Sequence, residues 1–455
     1  MRKRYPIDII HHSKQTVFLP DEIPNCKAIS KIAFGNKVVE AAVAPHPKGR
    51  KAIIMSNDVQ KSLSLPELSI PLHIFTADDT LFIGPLIGIL TSGFTPYPLR
   101  PIGERSMFFA KLLSVNKLVG ALPFVFGEEH IDWESGLIEG YFFIDSGWKT
   151  MKVPFPNVVY DRLPNRKTER KSELQRLKER MQSDYLIPWY NPGFFSKLDI
   201  FERLGQDGRA LDYLPETHPL TSFSIIEEML LKYGNVYIKP SNGSLGLGIH
   251  QILFDRQTGD YYCRYRDREG TNKLTKFNHL EALMKKLFNG RRLAHMLVQQ
   301  GISLLRNDGR LVDFRVHTNK DGNGEWQIAA IAAKIAGSGS VTTHVNNGGT
   351  VRSLDELFKQ EEERQQYESK LKEAALILSS ILEQTIDGIV GELGFDFGID
   401  KDGNVWLFEA NSKPGRSIFK HPKMKNFDLL SRKLSLSFGV FLAEKAITSP
   451  EEIFK

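Results

Sequence analysis

"WLFEANSKPG", residues 406–415, is the stretch whose reading decides the fold. Phe408 is apolar, Glu409 acidic, Ala410 apolar and Asn411 polar. A strand sends alternate side chains to opposite faces, so Glu409 and Asn411 share one face beside apolar neighbours. Upstream, "GFDFGIDKDGNVWLFEAN" (residues 394–411) contains Asp402-Gly403, a dipeptide that favours a two-residue hairpin turn. With that turn Lys401 faces Asn404, Ile399 faces Trp406 and Phe397 faces Phe408. Asp396 then faces Glu409, and Asn411 lies opposite Gly394. The expected core face carries Phe395, Phe397, Ile399, Trp406, Phe408 and Ala410.

Directly opposed residues have Cβ atoms roughly 5 Å apart. Two carboxylates there repel by about 3 kcal/mol at an effective dielectric near 20. A divalent cation reverses that sign, and Asp396, Glu409 and Asn411 offer only oxygen, the preference of Mg²⁺. The other reading places both acids on a solvated hairpin face. Glycine at 394 leaves room above the strand.

Working back along the chain, "NVYIKPSNGSLGLGIHQILFD" (235–255) reads as strand, glycine-rich turn, strand. Gly243, Gly246 and Gly248 leave backbone N–H groups open to an anion. No G-x-x-x-x-G-K-[ST] pattern is present and no helix follows, so this is not a Walker loop. Lys239 ends the first strand, within reach of phosphates under the loop; the plainer alternative is a flexible hairpin with a surface lysine. In "LVDFRVHTNKDGNGEWQIAAIAAKIAG" (311–337), Asp313, Arg315 and His317 share a face. Arg315 offers a planar fork for phosphate, or pairs with Asp313 at the surface. Lys334 sits in an apolar strand and calls for an anionic partner. "THVNNGG" (343–349) is a polar turn that either holds a substrate or only turns the chain.

At 455 residues the chain is too long for one ordinary core, and two or three domains are expected. Hydrophobic content of 41% and charged content of 25% are those of a globular protein. Lys plus Arg number 60 against 54 for Asp plus Glu, a net +6 that suits a nucleotide but not a duplex-binding stripe. Two distant cysteines, Cys26 and Cys263, give neither a disulfide framework nor zinc spacing. The N-terminus lacks an adequate apolar run for a signal peptide, and "LFIGPLIGIL" is too short to span a bilayer. A soluble intracellular protein is expected.

Residues 1–80 read as a small β-rich domain. Residues 81–190 read as an α/β unit with a charged helical linker, whose basic helix at 166–180 is expected to be a solvated face rather than a nucleic-acid surface. Residues 191–455 alternate strands and helices, and "SLDELFKQEEERQQYESKLKEAALILSSILEQTI" reads as one long helix.

The order of these signals is specific: strand-Lys-Pro-glycine loop, then an "FRV" strand, then a D…E-x-N hairpin. It resembles the layout of the ATP-grasp superfamily over roughly residues 190–425. With "IGPLIGILTS", "NVVYDRLPNR", "YIKPSNGSLGLGI", "QQGI", "DFRVH" and "FEANSKPG", the chain more narrowly resembles the YheC/YheD family of endospore coat-associated proteins. The resemblance implies an α/β (α+β) ATP-grasp fold at 191–455, with its lid at about 225–300 and its metal-binding part at about 301–425, preceded by a pre-ATP-grasp-like unit. It implies ATP and Mg²⁺ as cofactors. Lys197 and Lys239 are the implied nucleotide-contacting lysines, with Ser241, Asn242, Gly243, Ser244, Gly246 and Gly248 in the loop over the phosphates. Gln299, Gln300, Gly301 and Ile302 form the implied adenine hinge, Arg315 and Lys334 the catalytic cations, and Asp396, Glu409 and Asn411 the magnesium ligands. The hinge departs from the usual pattern in having glutamines where many members have a glutamate, and no acid is matched to the ribose. His344 stands where related ligases often have asparagine. The implied activity is an ATP-dependent carboxylate–amine or thiol ligase working through an acyl-phosphate, with spore-coat components as partners; the alternative is a nucleotide-binding coat protein without turnover.

Overall fold

The computed structural model describes residues 4–11, 14–23, 26–67, 70–191, 193–243, 246–289, 293–344 and 347–454. Its strands form five sheets. Two belong to the N-terminal region: Arg4–Tyr5, Leu72–Ala77, Thr80–Ile83, Lys31–Phe34 and Lys37–Glu40 in one, Ile7–Ile10, Ile53–Ser56, Thr16–Leu19 and Ala42–Pro45 in the other. Their apolar cluster includes Val17, Ile32, Phe34 and Met55, and continues through Leu86, Phe124 and Phe155 into the next sheet.

That third sheet has a parallel core, ordered Leu122–Phe126, Leu86–Leu90, Val158–Asp161, Trp189–Tyr190. The chain leaves Leu86–Leu90 through the helices Ser106–Leu113 and Asn116–Val119 to reach one neighbour. It reaches the other, Val158–Asp161, only after the hairpin Leu137–Ile144/Gly147–Pro154. Strand order therefore reverses at Leu86–Leu90, the switch point at whose carboxyl ends sheets of this kind form a ligand crevice. The greasy stretch at 81–90 is two strands, because Gly84-Pro85 breaks it.

The fourth sheet runs Thr217–Pro219, Met296–Gln300, Asn235–Pro240, His250–Phe254, Tyr261–Arg266, Asn272–Phe277. Helices Phe223–Tyr233 and Leu280–Phe288 cover it through Ile226, Met229 and Leu283. In the fifth, the order is Thr350–Arg352, Trp326–Ile335, Arg310–Lys320, Glu392–Ile399, Val405–Asn411. One face is closed by helix Glu361–Thr385, whose Leu371, Ala374, Ala375, Leu378 and Leu382 recur at helical spacing and are all buried. Glu361, Glu362 and Glu363 in its first turn suit the helix dipole. The long helix expected from 353 is interrupted: Leu354–Leu357 is a separate turn, capped by Ser353 with Glu356, and residues 358–360 are not helical. The C-terminal helix Lys425–Thr448 bridges two sheets, placing Leu436, Phe438 and Val440 against Ile87, Ile89, Tyr160 and Tyr190 while Ser431 and Ser435 hydrogen-bond Asn319.

The hairpin that opened the sequence differs in an instructive way. Asp396 does face Glu409, and Gly394 faces Asn411, but nearer the turn Phe397 pairs with Leu407 and Ile399 with Val405. The loop is one residue longer than expected, because Asp400 pairs across to Asn404. Asp400 Oδ1 accepts the N–H groups of Asp402 (2.9 Å) and Asn404 (2.8 Å), and its Oδ2 accepts the Trp406 indole N–H at 2.8 Å. Gly403 takes φ +79°, the left-handed residue a three-residue loop requires. A bulge at Phe408 then restores the register. The two departures cancel at the carboxylates. Between them, Val405 and Leu407 face the core, and Trp406 and Phe408 do not take the core positions expected for them.

Candidate active site

Asp396 receives cations from two successive strands on one side of its own. Arg315, its cross-strand partner, donates Nε to Oδ1 at 2.9 Å and Nη2 to Oδ2 at 2.7 Å, a bidentate fork. Lys334, from the next strand, donates Nζ to Oδ1 at 2.7 Å and lies 3.0 Å from Asp313 Oδ1. Burial alone raises the Asp396 carboxyl, but Arg315 and Lys334 overcome it and hold the group well below the usual carboxylate range. Asp313 is buried as well, and there burial dominates and pushes the carboxyl up despite Lys334. Asp313 also accepts the Thr343 hydroxyl, so the surface pairing with Arg315 does not form.

Lys197 opens the helix Lys197–Leu204 and reaches two elements at once: Nζ donates to Glu409 Oε1 at 2.9 Å and to Gly243 O at 2.8 Å. It thereby ties the glycine loop to the carboxylate hairpin. Lys239 closes the strand Asn235–Pro240 and is 6% exposed. Its Nζ donates to Gln299 Oε1 at 2.6 Å and to Phe408 O at 3.3 Å, and no carboxylate pairs with it among the described residues. Burial, reinforced by the Lys197 charge, brings its pKa down to about 7. The hinge glutamine explains this: a glutamate at 299 would supply the counter-charge that Gln299 cannot.

Gly246 and Gly248 have φ of +69° and +73°, so the loop needs glycine at both. Ser241 Oγ bonds His295 O at 3.0 Å, and Asn242 O faces Arg166. Ser244 and Asn346 lie outside the described residues. The N–H groups of Gln300 and Gly301 are donated inside the protein, to Glu216 O and Asn235 O. Gln299, Gln300 and Ile302 line a cavity of about 150 Å³ with Lys239, Lys334, Asp396 and Glu409, walled by Tyr237, Leu304, Leu311, Val341 and Phe408. Small-molecule sites run from roughly 300 Å³ upward, so this cavity is smaller than such a site.

The space over Gly394 is taken: a Cβ there would lie 2.4 Å from Pro414 Cβ, so the glycine admits a proline, not a ligand. Sequence reasoning missed what anchors this end of the hairpin. Asn191, fully buried at φ +59°, donates to Glu392 O (3.0 Å) and Ser412 O (2.5 Å) and accepts from Gly391 N (2.9 Å) and Glu392 N (3.1 Å). Lys413 pairs with Asp161 (2.6 Å) and Glu169 (3.0 Å) across to the parallel sheet. The only local signal was an asparagine before a proline, a residue type that tolerates the left-handed region.

Whether this site fits a metal is a question of donors. Among the described residues no group of three or more His, Cys, Asp or Glu side chains stands ready to hold one. The set reaches three only through the Asn411 amide. It is all oxygen, and Mg²⁺ is ordinarily held by one or two carboxylates with phosphates and water completing its shell. On that ground the residues fit.

The glycine loop on one sheet, facing carboxylates and cations on another, defines an ATP-grasp protein. A family model described as "YheC/D like ATP-grasp" matches residues 186–442, and the chain belongs to that family. It is 42% identical to the endospore coat-associated protein YheD of Bacillus subtilis (strain 168) over 452 residues, covering 99% of each chain. To the endospore coat-associated protein YheC of the same organism it is 23% identical over 282 residues, 61% of this chain and 75% of that one. Among solved structures it is similar to the D-alanine–D-alanine ligase of Bacillus anthracis (TM-score 0.45, 11% identity, 80% of this chain and 99% of that one). It is similar also to the VanG D-Ala:D-Ser ligase of Enterococcus faecalis (TM-score 0.45, 13% identity, 78% and 99%). No helix among the described residues is long and apolar enough to cross a membrane.

Proposed function

We propose that the protein is an ATP-dependent ligase that activates a carboxylate as an acyl-phosphate and passes the acyl group to an amine or thiol. One observation carries this reading: Lys239 and Lys334 line one cavity with Asp396 and Glu409, and those two carboxylates are paired from outside its lining by Arg315 and Lys197. Phosphoryl transfer needs positioning and charge neutralisation more than covalent help. Asp396, Glu409 and Asn411 would hold magnesium, which when bound neutralises charge on the phosphates. Lys239 and Lys197 would bind the triphosphate under the glycine loop. Arg315 keeps Nη1 clear of Asp396, and that group would bind the transferring phosphoryl oxygen. A substrate carboxylate oxygen attacks the γ-phosphorus, the bond to the β-phosphate oxygen breaks, and ADP leaves. The amine then attacks the acyl carbon, phosphate departs with the bonding electrons, and the amine loses its proton. The hinge residues Gln299 to Ile302 would seat the base.

With hydroxylamine as surrogate amine, a screen of amino acids, short peptides and cell-wall precursors is expected to give a hydroxamate with ADP and phosphate, lost in Arg315→Ala. AMP and pyrophosphate would exclude the acyl-phosphate route. Association with the endospore coat is proposed on the 42% identity to the coat-associated relative. The same relationship favours a second reading, a nucleotide-binding coat protein without turnover; tight ATP binding with silence across the whole screen would select it.

A further inference from the structure

The crevice at the carboxyl ends of Leu86–Leu90 and Val158–Asp161 is not part of the nucleotide cavity, yet the segment after Asn411 runs into it. Arg162 and Arg416 share Glu392, at 2.9 and 3.3 Å, and both guanidiniums lie over the Phe108 ring, at 5.2 and 5.8 Å. Arg105 joins them through Thr91, which accepts from Arg105 Nη1 at 2.7 Å and donates to Arg162 O at 3.1 Å. Its other bond goes to Ser92 O. Arg105 therefore has three of its five N–H groups left over, and among the described residues it has no carboxylate partner. Glu128 and Glu129, which follow the adjacent strand Leu122–Phe126, form no ion pair with it among those residues. Asp428, the other acid here, is shared between Arg416 and Arg432. Four arginines thus meet two carboxylates, Glu392 and Asp428, in a half-buried place.

A second observation points into the same region from the other side. His317 is fully buried on the strand that carries Arg315, and neither ring nitrogen has a hydrogen-bond partner among the described residues. Its ring meets Phe419 at 5.1 Å, and the Arg416 guanidinium lies over the same Phe419 ring at 4.5 Å. Burial, then the charges of Arg315 and Arg416, hold His317 far below its ordinary pKa, so it is neutral, with one nitrogen to donate and one to accept. A buried unpaired imidazole costs free energy unless something fills its valences. The crevice thus offers guanidinium forks at the point in an open α/β sheet where ligands enter, and the unpaired imidazole is buried against the Phe419 ring that Arg416 also covers.

We infer that this crevice recognises an anionic group on the substrate, a carboxylate or phosphate separate from the carboxylate that is activated, through Arg105 with Arg162 and Arg416. This rests on the ligase reading above and adds the class of substrate: an acidic molecule with at least two anionic groups. Guanidinium forks bind carboxylate and phosphate alike, so the chemistry is common and the probes separate the two.

The test uses the full chain with a nonhydrolysable MgATP analogue and measures binding of matched pairs by calorimetry: glutarate against its monoamide, and phosphoserine against serine. One charged member is expected to bind at least about tenfold tighter than its neutral counterpart, ~1.4 kcal/mol. Which pair shows the preference assigns carboxylate or phosphate. Arg105→Gln is expected to remove the preference and Arg105→Lys to keep part of it, with analogue affinity unchanged in both, which also certifies that the variants fold. Equal binding of charged and neutral members, no binding of either acid at millimolar concentration, or a preference that survives Arg105→Gln would overturn the inference. Failure of the wild type to bind the analogue would sink the ligase reading instead; the same pairs measured without nucleotide then test the crevice alone.

Discussion

Replacing Lys239 by methionine is expected to stabilise the apo protein while weakening ATP. The ammonium is buried beside a neutral glutamine, and its pKa falls from 10.5 to about 7. A shift of that size corresponds to roughly 5 kcal/mol of strain against the charged form. The sign follows from proton counting. Between pH 7 and about 10.5 the unfolded chain binds the proton and the folded chain does not, so apo stability should rise with pH across that window and lie lowest below pH 7. Methionine fills a similar volume without charge, but leaves Gln299 Oε1 without its donor, a penalty of about 1–3 kcal/mol. With the middle of that penalty the net gain is about 3 kcal/mol at pH 6, vanishes near about pH 9 and becomes a loss of about 1 kcal/mol by about pH 10, read from urea unfolding without nucleotide or metal. The same substitution removes a charge-assisted bond to phosphate, so ATP should weaken about ten- to a hundredfold while adenosine is unchanged. Binding of ATP to the wild type at pH 7 should draw in about half a proton, visible by calorimetry in buffers of different ionisation enthalpy. A variant less stable than wild type at pH 6, with no proton uptake in the wild type, would refute the buried, unpaired lysine.

Glu409→Gln should weaken magnesium-dependent nucleotide binding while leaving apo stability within about 1 kcal/mol, since it relieves repulsion from Asp396 but loses the Lys197 pairing; an apo loss of several kcal/mol in unfolding experiments would make the carboxylate structural. Asn191→Ala strips four hydrogen bonds from buried backbone groups and should cost about 3 kcal/mol, with a fall in Tm; a change below 0.5 kcal/mol would mean the hairpin is anchored elsewhere. MgATP at a hundred times its dissociation constant should stabilise the wild type by about 2.7 kcal/mol, and no thermal shift at millimolar MgATP would remove the nucleotide assignment.

How much of this was legible in the sequence differs by element. The pairing of Asp396 with Glu409 was read from Asp402-Gly403 and strand alternation, yet it arises otherwise, from a longer loop held by Asp400 and a compensating bulge at Phe408. Local pattern cannot reveal a bulge whose cause is a side chain bonding its own turn, which is why Trp406 was placed in the core. Lys334 in an apolar strand was legible because a buried ammonium demands an anion, and the anions are Asp313 and Asp396. The break at 358–360 was hidden because charged residues on both sides continue a helical pattern. The contacts of Asn191, Lys413 and the arginine crevice could not be read from local pattern. The partners of Asn191, Lys413 and Arg162 lie 200 or more residues away in sequence, at 392, 412 and 161, and only the docking of the parallel sheet against the carboxylate sheet brings them together.

The most direct measurement is an experimental structure with magnesium and a nonhydrolysable ATP analogue. The expected result places the metal on Asp396, Glu409 and Asn411. It places the outer phosphate within hydrogen-bond distance of Arg315 and Lys239, beneath Gly243, Gly246 and Gly248, with Arg315 drawn away from at least one oxygen of Asp396. Nucleotide bound outside the cavity between Gln299 and Glu409, or a metal held without Asp396 and Glu409, would contradict it.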